Sequence, residues 1–265
     1  MSVSALRYAL CVEYDGSNFS GWQTQVKQRT VQHELEIALS KVADHPVAVV
    51  TAGRTDAKVH ATGQIVHFDS IADRELIEWH FGVNRFLPAD IRVHWINIVA
   101  SDFHARFSAI KRSYRYIIYN HNVKPCLLRR QVSYQYRPLD VDLMNKAAQA
   151  FIGEQDFTSV RAAGCQAKTA NRNLIALNVY RVGHWVWFDV TANAFLQHMV
   201  RNIAGMLMAV GYKENPVQWV DDVLSARDRT LAGVTALPNG LYLTCVEYPR
   251  TYSLEKSPPE PVFWQ

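Results

Sequence analysis

The sequence predicts an α+β protein built from two similar halves, each with an antiparallel or mixed sheet and with helices on one face. Two observations predict this class. Short runs of β-forming residues alternate with segments whose apolar residues recur at helical spacing, and the order of these segments in the first part of the chain is echoed in the second. A length of 265 residues suits one large domain or two small ones. We expect the halves to comprise residues 1–110 and 111–265.

The first half follows the order β, α, β, β, α, β. A β-forming run at 7–14 ends at the turn signal Asp15-Gly16, and a helical pattern begins behind Thr30 and stops at His45-Pro46. Two strands, a helix and a further strand follow at 47–51, 64–68, 75–86 and 91–99. The polar loop between the strands at 47–51 and 64–68 is a position of the kind where functional residues concentrate.

The second half begins with a strand at 114–119 and an irregular segment at 120–136. A helix at 140–152 then closes at Gly153, and a hairpin turns around Gly183. The half is completed by an apolar helix within 195–210, a helix from Pro216 to Leu224 and a last strand at 241–248. The apolar side of the first of these helices carries Met199, Ile203, Met206, Leu207 and Val210. We expect the tail, with Pro258, Pro259 and Pro261, to lie loosely on the surface.

Composition excludes several classes of protein. No apolar run approaches the roughly 18 residues of a membrane span, and residues 1–6 lack the features of a signal peptide, so we expect a cytoplasmic protein with no membrane partner. The four cysteines lie far apart and never form C-x-x-C, which predicts reduced, mostly buried thiols rather than a zinc site or disulfides. Walker, nucleophile-elbow and dinucleotide-binding motifs are missing, so kinase, hydrolase and dehydrogenase readings lose their main support. A net charge of +4 permits a nucleic-acid partner without requiring one.

Asp56 is the strongest candidate for chemistry, because it follows Gly53 and Arg54 in the polar loop between two apolar strands. Such a carboxylate can face solvent or a cleft without lying in the core, although a purely structural turn would look the same. Asp56, His60 and His67 also suggest a metal site. The spacing of four between Asp56 and His60 brings ligands together only on a helix, and this segment reads as loop and strand, so we expect no metal.

Cations lie beside aromatic residues in several places. His104, Arg106 and Phe107 form one cluster, and a second covers 111–116, where Arg112, Tyr114 and Tyr116 share one strand face and Lys111, Ser113 and Arg115 the other. A face with cations for phosphates and a ring for a base suits RNA binding, whereas solvated sheet-edge charge is the alternative. Further cations follow at Lys168, Arg172, Arg181 and Arg201.

Arg201 lies in an otherwise apolar helical stretch, about one turn after its start at Phe195. An unpaired cation is costly to bury, so a buried Arg201 would need an anion. Asp56 is the obvious loop carboxylate to pair with it, and an arginine on an exposed helix face is the alternative.

Several motifs together resemble the TruA family of tRNA pseudouridine synthases, in order and over almost the whole chain. They are Tyr14-Asp15-Gly16, Phe19-Ser20-Gly21-Trp22-Gln23, Ala52-Gly53-Arg54-Thr55-Asp56 with Val59-His60-Ala61, Phe103-His104-Ala105-Arg106-Phe107, Tyr114-Arg115-Tyr116 and the run from Asn193 to Asn202. Family members commonly have glycine where this chain has Lys58. If that position needs a positive φ, lysine adopts it at some cost.

The resemblance implies a pseudouridine synthase fold with a central cleft, and conversion of uridine to pseudouridine at positions 38–40 of the tRNA anticodon stem and loop. It implies that neither a metal nor an organic cofactor is used. Asp56 matches the catalytic nucleophile or base, and attack on C1′, attack on C6 and removal of the C2′ proton all remain open. The N-terminal half would carry this Asp loop, and the C-terminal half the Tyr114 strand and the Arg201 helix.

The resemblance also assigns roles to the cations and aromatic residues. Tyr114 matches a tyrosine that packs on the target base, Arg201 an arginine that pairs with the aspartate, and Arg54 a residue that holds the flipped-out nucleotide. Other RNA-binding candidates are Arg106, His104, Phe107, Lys111, Arg112 and, within 164–168, Gln166 and Lys168. The resemblance implies a homodimer in which one tRNA reaches both subunits.

Two other functions compete with this reading. A non-catalytic RNA-binding or RNA-chaperone protein would need the basic faces but gives no reason for Asp56 and Arg201 together. A nucleoside glycosidase would need a further acid or base to activate water.

Overall fold

The computed structural model describes residues 5–254 and Trp264. The proline-rich tail and residues 1–4 of the N-terminal segment therefore lie outside the described residues. Within the described part, no helix is long and apolar enough to cross a bilayer. In chain order the elements are β1 (Leu6–Tyr14), α1 (Val31–Ala43), β2 (Val50–Thr51), β3 (His60–Ser70), α2 (Leu76–Phe86), β4 (Ile91–Val99), β5 (Lys111–Asn120), β6 (Ser133–Gln135), α3 (Val141–Ala148), β7 (Gly153–Asp156), β8 (Asn171–Val182), β9 (Trp185–Ala192), α4 (Met199–Gly211), α5 (Trp219–Ala226) and β10 (Leu241–Glu247).

The chain divides into two compact units. Unit 1 contains the described residues up to Ile110 together with those from Leu243 onward, and unit 2 contains Lys111–Tyr242. The division by sequence places residues from 243 onward in the C-terminal half, whereas their contacts place them in unit 1. The N–H of Ile110 donates to the carbonyl of Glu247 at 2.8 Å, and the Tyr248 hydroxyl donates to the carbonyl of Ala105 at 2.7 Å.

Unit 1 is built around β1, which pairs antiparallel with β3 on one side and β4 on the other. Strand β2 pairs antiparallel with the middle of β3, and β10 follows β3 in the sheet order. The core of the unit contains the stacked rings of Tyr8 and Phe68, with centroids 5.1 Å apart, and the indole of Trp79. The strands expected at 7–14 and 91–99 are confirmed.

The two helices of unit 1 begin where the sequence predicts. Thr30 precedes α1, whose apolar stripe is buried, and Asp44 ends the helix in the left-handed conformation at φ 58°. Glu75 and Glu78 form a capping box at the start of α2, each side chain accepting from the other residue's backbone N–H. Helix α2 buries Trp79 and Val83. Apolar periodicity therefore sets both helices, and a capping box adds to the start of α2, whereas the Thr30 side chain makes no capping hydrogen bond at α1.

The prediction of a strand at 47–51 is mostly wrong, because only Val50–Thr51 pairs in the sheet. Side chains of α1 occupy the backbone donors before it: the N–H of Val47 donates to Ser40 Oγ at 2.9 Å and that of Val49 to Glu36 Oε1 at 3.1 Å. In contrast, β3 is longer than the predicted 64–68 and starts at His60, the last residue of the predicted loop.

Unit 2 has the strand order β5-β9-β8-β7, with each neighbouring pair antiparallel and β6 parallel to β5. The predicted hairpin is confirmed as β8 and β9, and Gly183 in its turn has φ 55°. Tyr116 and Phe188 stack in the core at 5.4 Å. The antiparallel pairs with one parallel pair, together with the helices, confirm the α+β class.

Three helix boundaries in unit 2 differ from the prediction. Helix α3 ends at Ala148 and continues as a 3-10 turn, so Gly153, at φ 102°, opens β7 instead of closing the helix. Helix α4 starts at Met199, after the left-handed His198, and not at Phe195. Helix α5 starts at Trp219 rather than Pro216.

The expectation of mostly buried cysteines is wrong. All four are free thiols, but only Cys11, in β1, is buried, while Cys126 is exposed and Cys165 and Cys245 are partly exposed. Three of the four lie in loops or near a strand end, where fewer neighbours cover them.

Candidate functional site

Asp56 begins a tight turn in the loop between β2 and β3. The N–H of Val59 donates to the carbonyl of Asp56 at 3.2 Å, and Lys58 within the turn has φ 65°. The Asp56 side chain is partly exposed, and Arg54 and Lys58 are exposed. The turn therefore presents a carboxylate at the surface of unit 1, with a cation two residues away on either side in sequence.

Lys58 has the positive φ for which glycine is suited, so Lys58→Gly should stabilise the protein. A left-handed non-glycine residue costs about 1–2 kcal/mol, part of which is offset by the greater flexibility of unfolded glycine. We expect the free energy of unfolding to rise by about 0.5–1 kcal/mol in denaturant titrations. Lys58→Ala is the control, because it removes the same side chain and keeps the strained backbone. A Lys58→Gly variant no more stable than Lys58→Ala would contradict this account.

The segment after β1 holds the Asp56 turn through its backbone. The N–H of Trp22 donates to the carbonyl of Thr55 at 3.0 Å, and the N–H of Lys58 donates to the carbonyl of Phe19 at 3.2 Å. Gly21, at φ 98°, passes so close that an added Cβ would lie 2.9 Å from the Thr55 carbonyl oxygen. At Gly16 an added Cβ would lie 2.0 Å from the Val59 carbonyl oxygen. The backbone of the Asp56 loop therefore comes so close to Gly16 and Gly21 that neither position has room for a side chain.

Buried side chains fix the part of the loop that precedes Asp56. The hydroxyls of Tyr14 and Thr55 are hydrogen-bonded at 2.8 Å, and burial raises the pKa of Tyr14 to about 12, so this tyrosine is protonated. Gln64 Nε2 donates to the carbonyl of Gly53 at 2.6 Å. Both anchored residues closely precede Asp56 in the chain, an arrangement that limits the positions of its side chain.

The structure uses both histidines near Asp56 as hydrogen-bond acceptors. His60 Nδ1 accepts the N–H of Gly16 and His67 Nδ1 accepts the N–H of Ala105, each at 3.1 Å. Among residues 5–254 and Trp264, no group of three or more His, Cys, Asp or Glu side chains could hold a metal ion.

The segment after β4 presents an aromatic and basic surface on unit 1. Phe103 is buried, whereas Phe107 is 76% exposed, stacks on His104 at 4.3 Å and has the Arg106 guanidinium 5.6 Å from its ring centroid. His104 Nδ1 accepts the N–H groups of Arg106 and Phe107, which sets the turn between them. An exposed ring beside a cation is suited to a nucleobase next to a phosphate.

His67 supports this segment and should make the stability of the protein depend on pH. Burial, together with the smaller effects of the positive charges of Arg7 and His104, lowers its pKa from 6.5 to about 4. The folded state therefore keeps His67 neutral between pH 6.5 and 4, where the unfolded chain takes up a proton. The free energy of unfolding should fall by up to about 3 kcal/mol as the pH drops through this range.

Denaturant titrations at several pH values measure this effect. His67→Asn, which keeps an acceptor for the Ala105 N–H, should flatten the dependence, whereas His33→Asn on the exposed side of α1 should leave it unchanged. NMR titration of His67 in the unmodified protein provides a second test that needs no variant. A titration midpoint near pH 6.5 in that experiment would show that folding leaves the pKa of His67 unchanged, which would contradict the prediction.

In unit 2 the predicted alternation along β5 is confirmed by burial. Tyr114 is 9% exposed and meets the edge of the Phe195 ring at a centroid distance of 5.0 Å. Arg112 is also buried and donates to the carbonyl of Asn193 at 2.9 Å. Tyr116 donates to the carbonyl of Leu237, and burial raises its pKa. The run from Asn193 to Phe195 thus lies against Arg112 and Tyr114.

Several cations of the predicted basic faces have structural partners. Arg115 forms a two-point ion pair with Asp189, at 2.7 and 2.9 Å. Arg181 donates to Asn120 Oδ1 and to the carbonyl of Leu139, and Arg172 donates to the carbonyls of Thr169 and Asn171. Lys111 is partly exposed.

Arg201 is in the first turn of α4 and is partly exposed. Its Nε donates to the carbonyl of Ala236 at 2.8 Å, and its own carbonyl accepts the N–H of Ala236 at 3.1 Å. The positive end of a helix adds to the charge of the guanidinium. This end of unit 2 therefore favours a negative partner.

The loop at 161–168 presents polar and basic side chains from a fixed backbone. Arg161 Nη2 donates to the carbonyls of Cys165 and Ala167, both at 2.7 Å. Gln166 and Lys168 are exposed.

The sequence interpretation missed the residues that hold Arg201 and its helix. Arg229 Nη2 donates to Asn202 Oδ1 at 3.0 Å, and Asn202 Nδ2 donates to the carbonyl of Val160 at 2.8 Å. An added Cβ on Gly205 would lie 1.9 Å from the carbonyl oxygen of Val234, so the loop before Ala236 packs directly on α4. A glycine inside an apolar helix was the available signal for this close contact.

A family model and curated relatives match this chain over most of its length. The family model described as tRNA pseudouridine synthase matches residues 10–108 and 147–249. A tRNA pseudouridine synthase A of Pseudoalteromonas atlantica is 53% identical over 97% of this chain and 98% of its own length, and one of Shigella sonnei is 53% identical over 97% and 95%. A solved chain of a Cbf5-Nop10-Gar1 complex has only distant similarity, at 13% identity, 76% and 54% coverage and a TM-score of 0.33. The chain therefore belongs to the tRNA pseudouridine synthase family and is an isomerase that acts on tRNA.

Proposed function

We propose that this enzyme isomerises uridine to pseudouridine at positions 38–40 of the tRNA anticodon stem-loop, with Asp56 as nucleophile or base and without a cofactor. The observation that carries the proposal is the Asp56 turn. Its sequence matches the catalytic loop of the family, and backbone hydrogen bonds to the segment after β1 hold the residues on both sides of Asp56.

The reaction needs no group beyond ordinary side chains. The N1–C1′ bond of uridine breaks, the uracil rotates, a C5–C1′ bond forms, and the proton lost from C5 is balanced by one gained at N1. Asp56 can begin this sequence by attacking C1′, by attacking C6 or by removing the C2′ proton. No net oxidation, hydrolysis or group transfer between molecules occurs, so a carboxylate and a proton acceptor suffice.

We propose that Tyr114 packs on the target base and assists loss of the C5 proton, and that Arg201 stabilises the charge on Asp56. The support for Tyr114 is a ring that lies at the boundary between core and surface and is held by a T-shaped contact with Phe195. Arg54 is exposed two residues before Asp56, a position suited to holding a flipped-out nucleotide.

We propose that tRNA contacts several exposed or partly exposed polar and aromatic groups. In unit 1 these are Arg106, Phe107 and His104, and in unit 2 Lys111, Gln166 and Lys168. Arg112 contributes through the Asn193 carbonyl that it holds rather than through an exposed guanidinium. We also propose that the enzyme acts in the cytoplasm as a homodimer, and light scattering of the purified protein measures the dimer.

Release of tritium from tRNA labelled at uridine C5 tests the reaction. Tritium release with the base retained in the RNA is expected. Release of free base would instead indicate a nucleoside glycosidase, and no reaction would favour an RNA-binding protein. Mapping the modified nucleotides in the same tRNA tests the assignment to positions 38–40, and modification only elsewhere would contradict it.

A further inference from the structure

We infer that the loop between β5 and β6, residues 121–132, is a binding surface for the phosphodiester backbone of the tRNA. This inference rests on the proposed function, because it takes the tRNA substrate as the polyanion. It concerns a segment that the family model leaves unmatched, since the model covers residues 10–108 and 147–249. The sequence predicts an irregular segment at 120–136 and indicates no function for it.

The loop forms an open concavity of about 580 Å³ lined by Lys124, Pro125, Cys126, Arg129 and Arg130. Three of these five residues are cations, and all three are exposed. Leu127 between them is 84% exposed, so an apolar group lies next to the cations. A concave basic surface with one apolar contact suits a sugar-phosphate chain, whose charged and apolar parts alternate.

Two of the three cations of the concavity, Lys124 and Arg129, are not neutralised by carboxylates of the described residues. Within residues 5–254 and Trp264, neither Lys124 nor Arg129 has a carboxylate within ion-pair distance. In contrast, Arg115 and Arg137 of the same unit are paired with Asp189 and Glu214. An external anion is therefore the natural counterion for this loop, and neutralising phosphates in this way adds to the affinity for RNA.

The backbone of the loop is held in place before any ligand binds. At its start, buried Asn120 donates to the carbonyls of Gln135 and Arg137 and accepts the N–H of Leu139. At its end, the Tyr242 hydroxyl donates to the carbonyl of Gln131.

Leu128 closes a turn within the loop in the left-handed conformation. It adopts φ 58°, and the N–H of Gln131 closes a turn onto its carbonyl at 2.9 Å. A fixed loop loses little backbone freedom on binding, which favours affinity.

Equilibrium binding of a tRNA transcript to Lys124→Gln/Arg129→Gln tests the inference. We expect the dissociation constant at about 0.15 M salt to rise about tenfold, and the slope of log affinity against log salt to fall by about 2. Turnover at saturating tRNA should stay within about twofold of the unmodified enzyme, because neither residue belongs to the catalytic set. The double variant Arg85→Gln/Lys146→Gln removes the same charge from exposed positions of α2 and α3 and should change neither binding nor its salt slope.

Cys126 provides a second readout without any substitution, because its thiol is exposed in the concavity. Bound tRNA should slow alkylation of Cys126, followed by peptide mass spectrometry, while inorganic phosphate at the same ionic strength should not. Protection by inorganic phosphate alone would indicate a small-anion site and overturn the inference.

Unchanged alkylation with tRNA, or binding by the double variant equal to that of its control, would also overturn it. If either result occurs while the unmodified enzyme still releases tritium, the proposed function stands and only the inference about the loop fails. If the unmodified enzyme releases no tritium, the proposed function itself is refuted.

Discussion

Asp56→Asn should abolish pseudouridine formation and leave tRNA binding nearly intact. The substitution keeps the shape of the side chain and removes the negative charge that every proposed route requires. The turn itself should survive, because its closing hydrogen bond joins the backbone groups of Val59 and Asp56. We expect turnover to fall by roughly 10⁴-fold or more, the scale seen when a central catalytic group is removed.

Tritium release and equilibrium tRNA binding measure the two parts of this prediction. Asp73→Asn is the matched control, since it neutralises an exposed carboxylate elsewhere in unit 1 and should change neither quantity. Turnover retained by Asp56→Asn would refute the catalytic assignment. A parallel loss of binding and turnover would show that the carboxylate holds the loop rather than reacting.

Arg201→Met should impair catalysis much more than binding. The methionine keeps the length and apolar stem of the side chain, so α4 should remain packed, but it removes the positive charge that we propose stabilises Asp56. Loss of one such electrostatic contact costs about 10²–10³-fold in turnover. The hydrogen bond from Nε to the carbonyl of Ala236 is also lost.

Arg201→Lys separates the charge from this hydrogen-bond geometry. It should recover part of the turnover if the charge is what matters, and none if the fork of the guanidinium is required. Thermal unfolding of both variants checks that the loop at Ala236 stays in place. Equal losses of turnover and tRNA affinity in Arg201→Met would instead assign the arginine to RNA contact.

Local sequence patterns predicted most of the elements. The apolar stripe behind Thr30 became α1, and the hairpin around Gly183 became β8 and β9. These features depend on residues close together in the chain, whose periodicity and turn chemistry are visible in the sequence. The prediction was wrong at 47–51, where the α1 side chains of Ser40 and Glu36 bind the backbone donors of Val47 and Val49.

The residues that position the candidate site were harder to predict. The sequence marked Asp56 through its neighbours, and the resemblance added roles for Tyr114 and Arg201. No local sequence pattern indicated that the hydroxyl of Tyr14 would form a hydrogen bond with that of Thr55. Nor could residue spacing show that Arg115 is neutralised by Asp189, because strand pairing brings the two together across 74 residues.

The sequence by itself determined the class of fold, the helices that follow from apolar periodicity, and the family to which the chain belongs. The tertiary structure decided which cations are neutralised, how Gly16 and Gly21 allow the Asp56 turn to approach, and that residues from Leu243 onward return to unit 1. The physical reason is the range of the interactions. Capping and periodicity act within a few residues, whereas ion pairing, strand pairing and close backbone contact depend on groups that only the folded chain brings together.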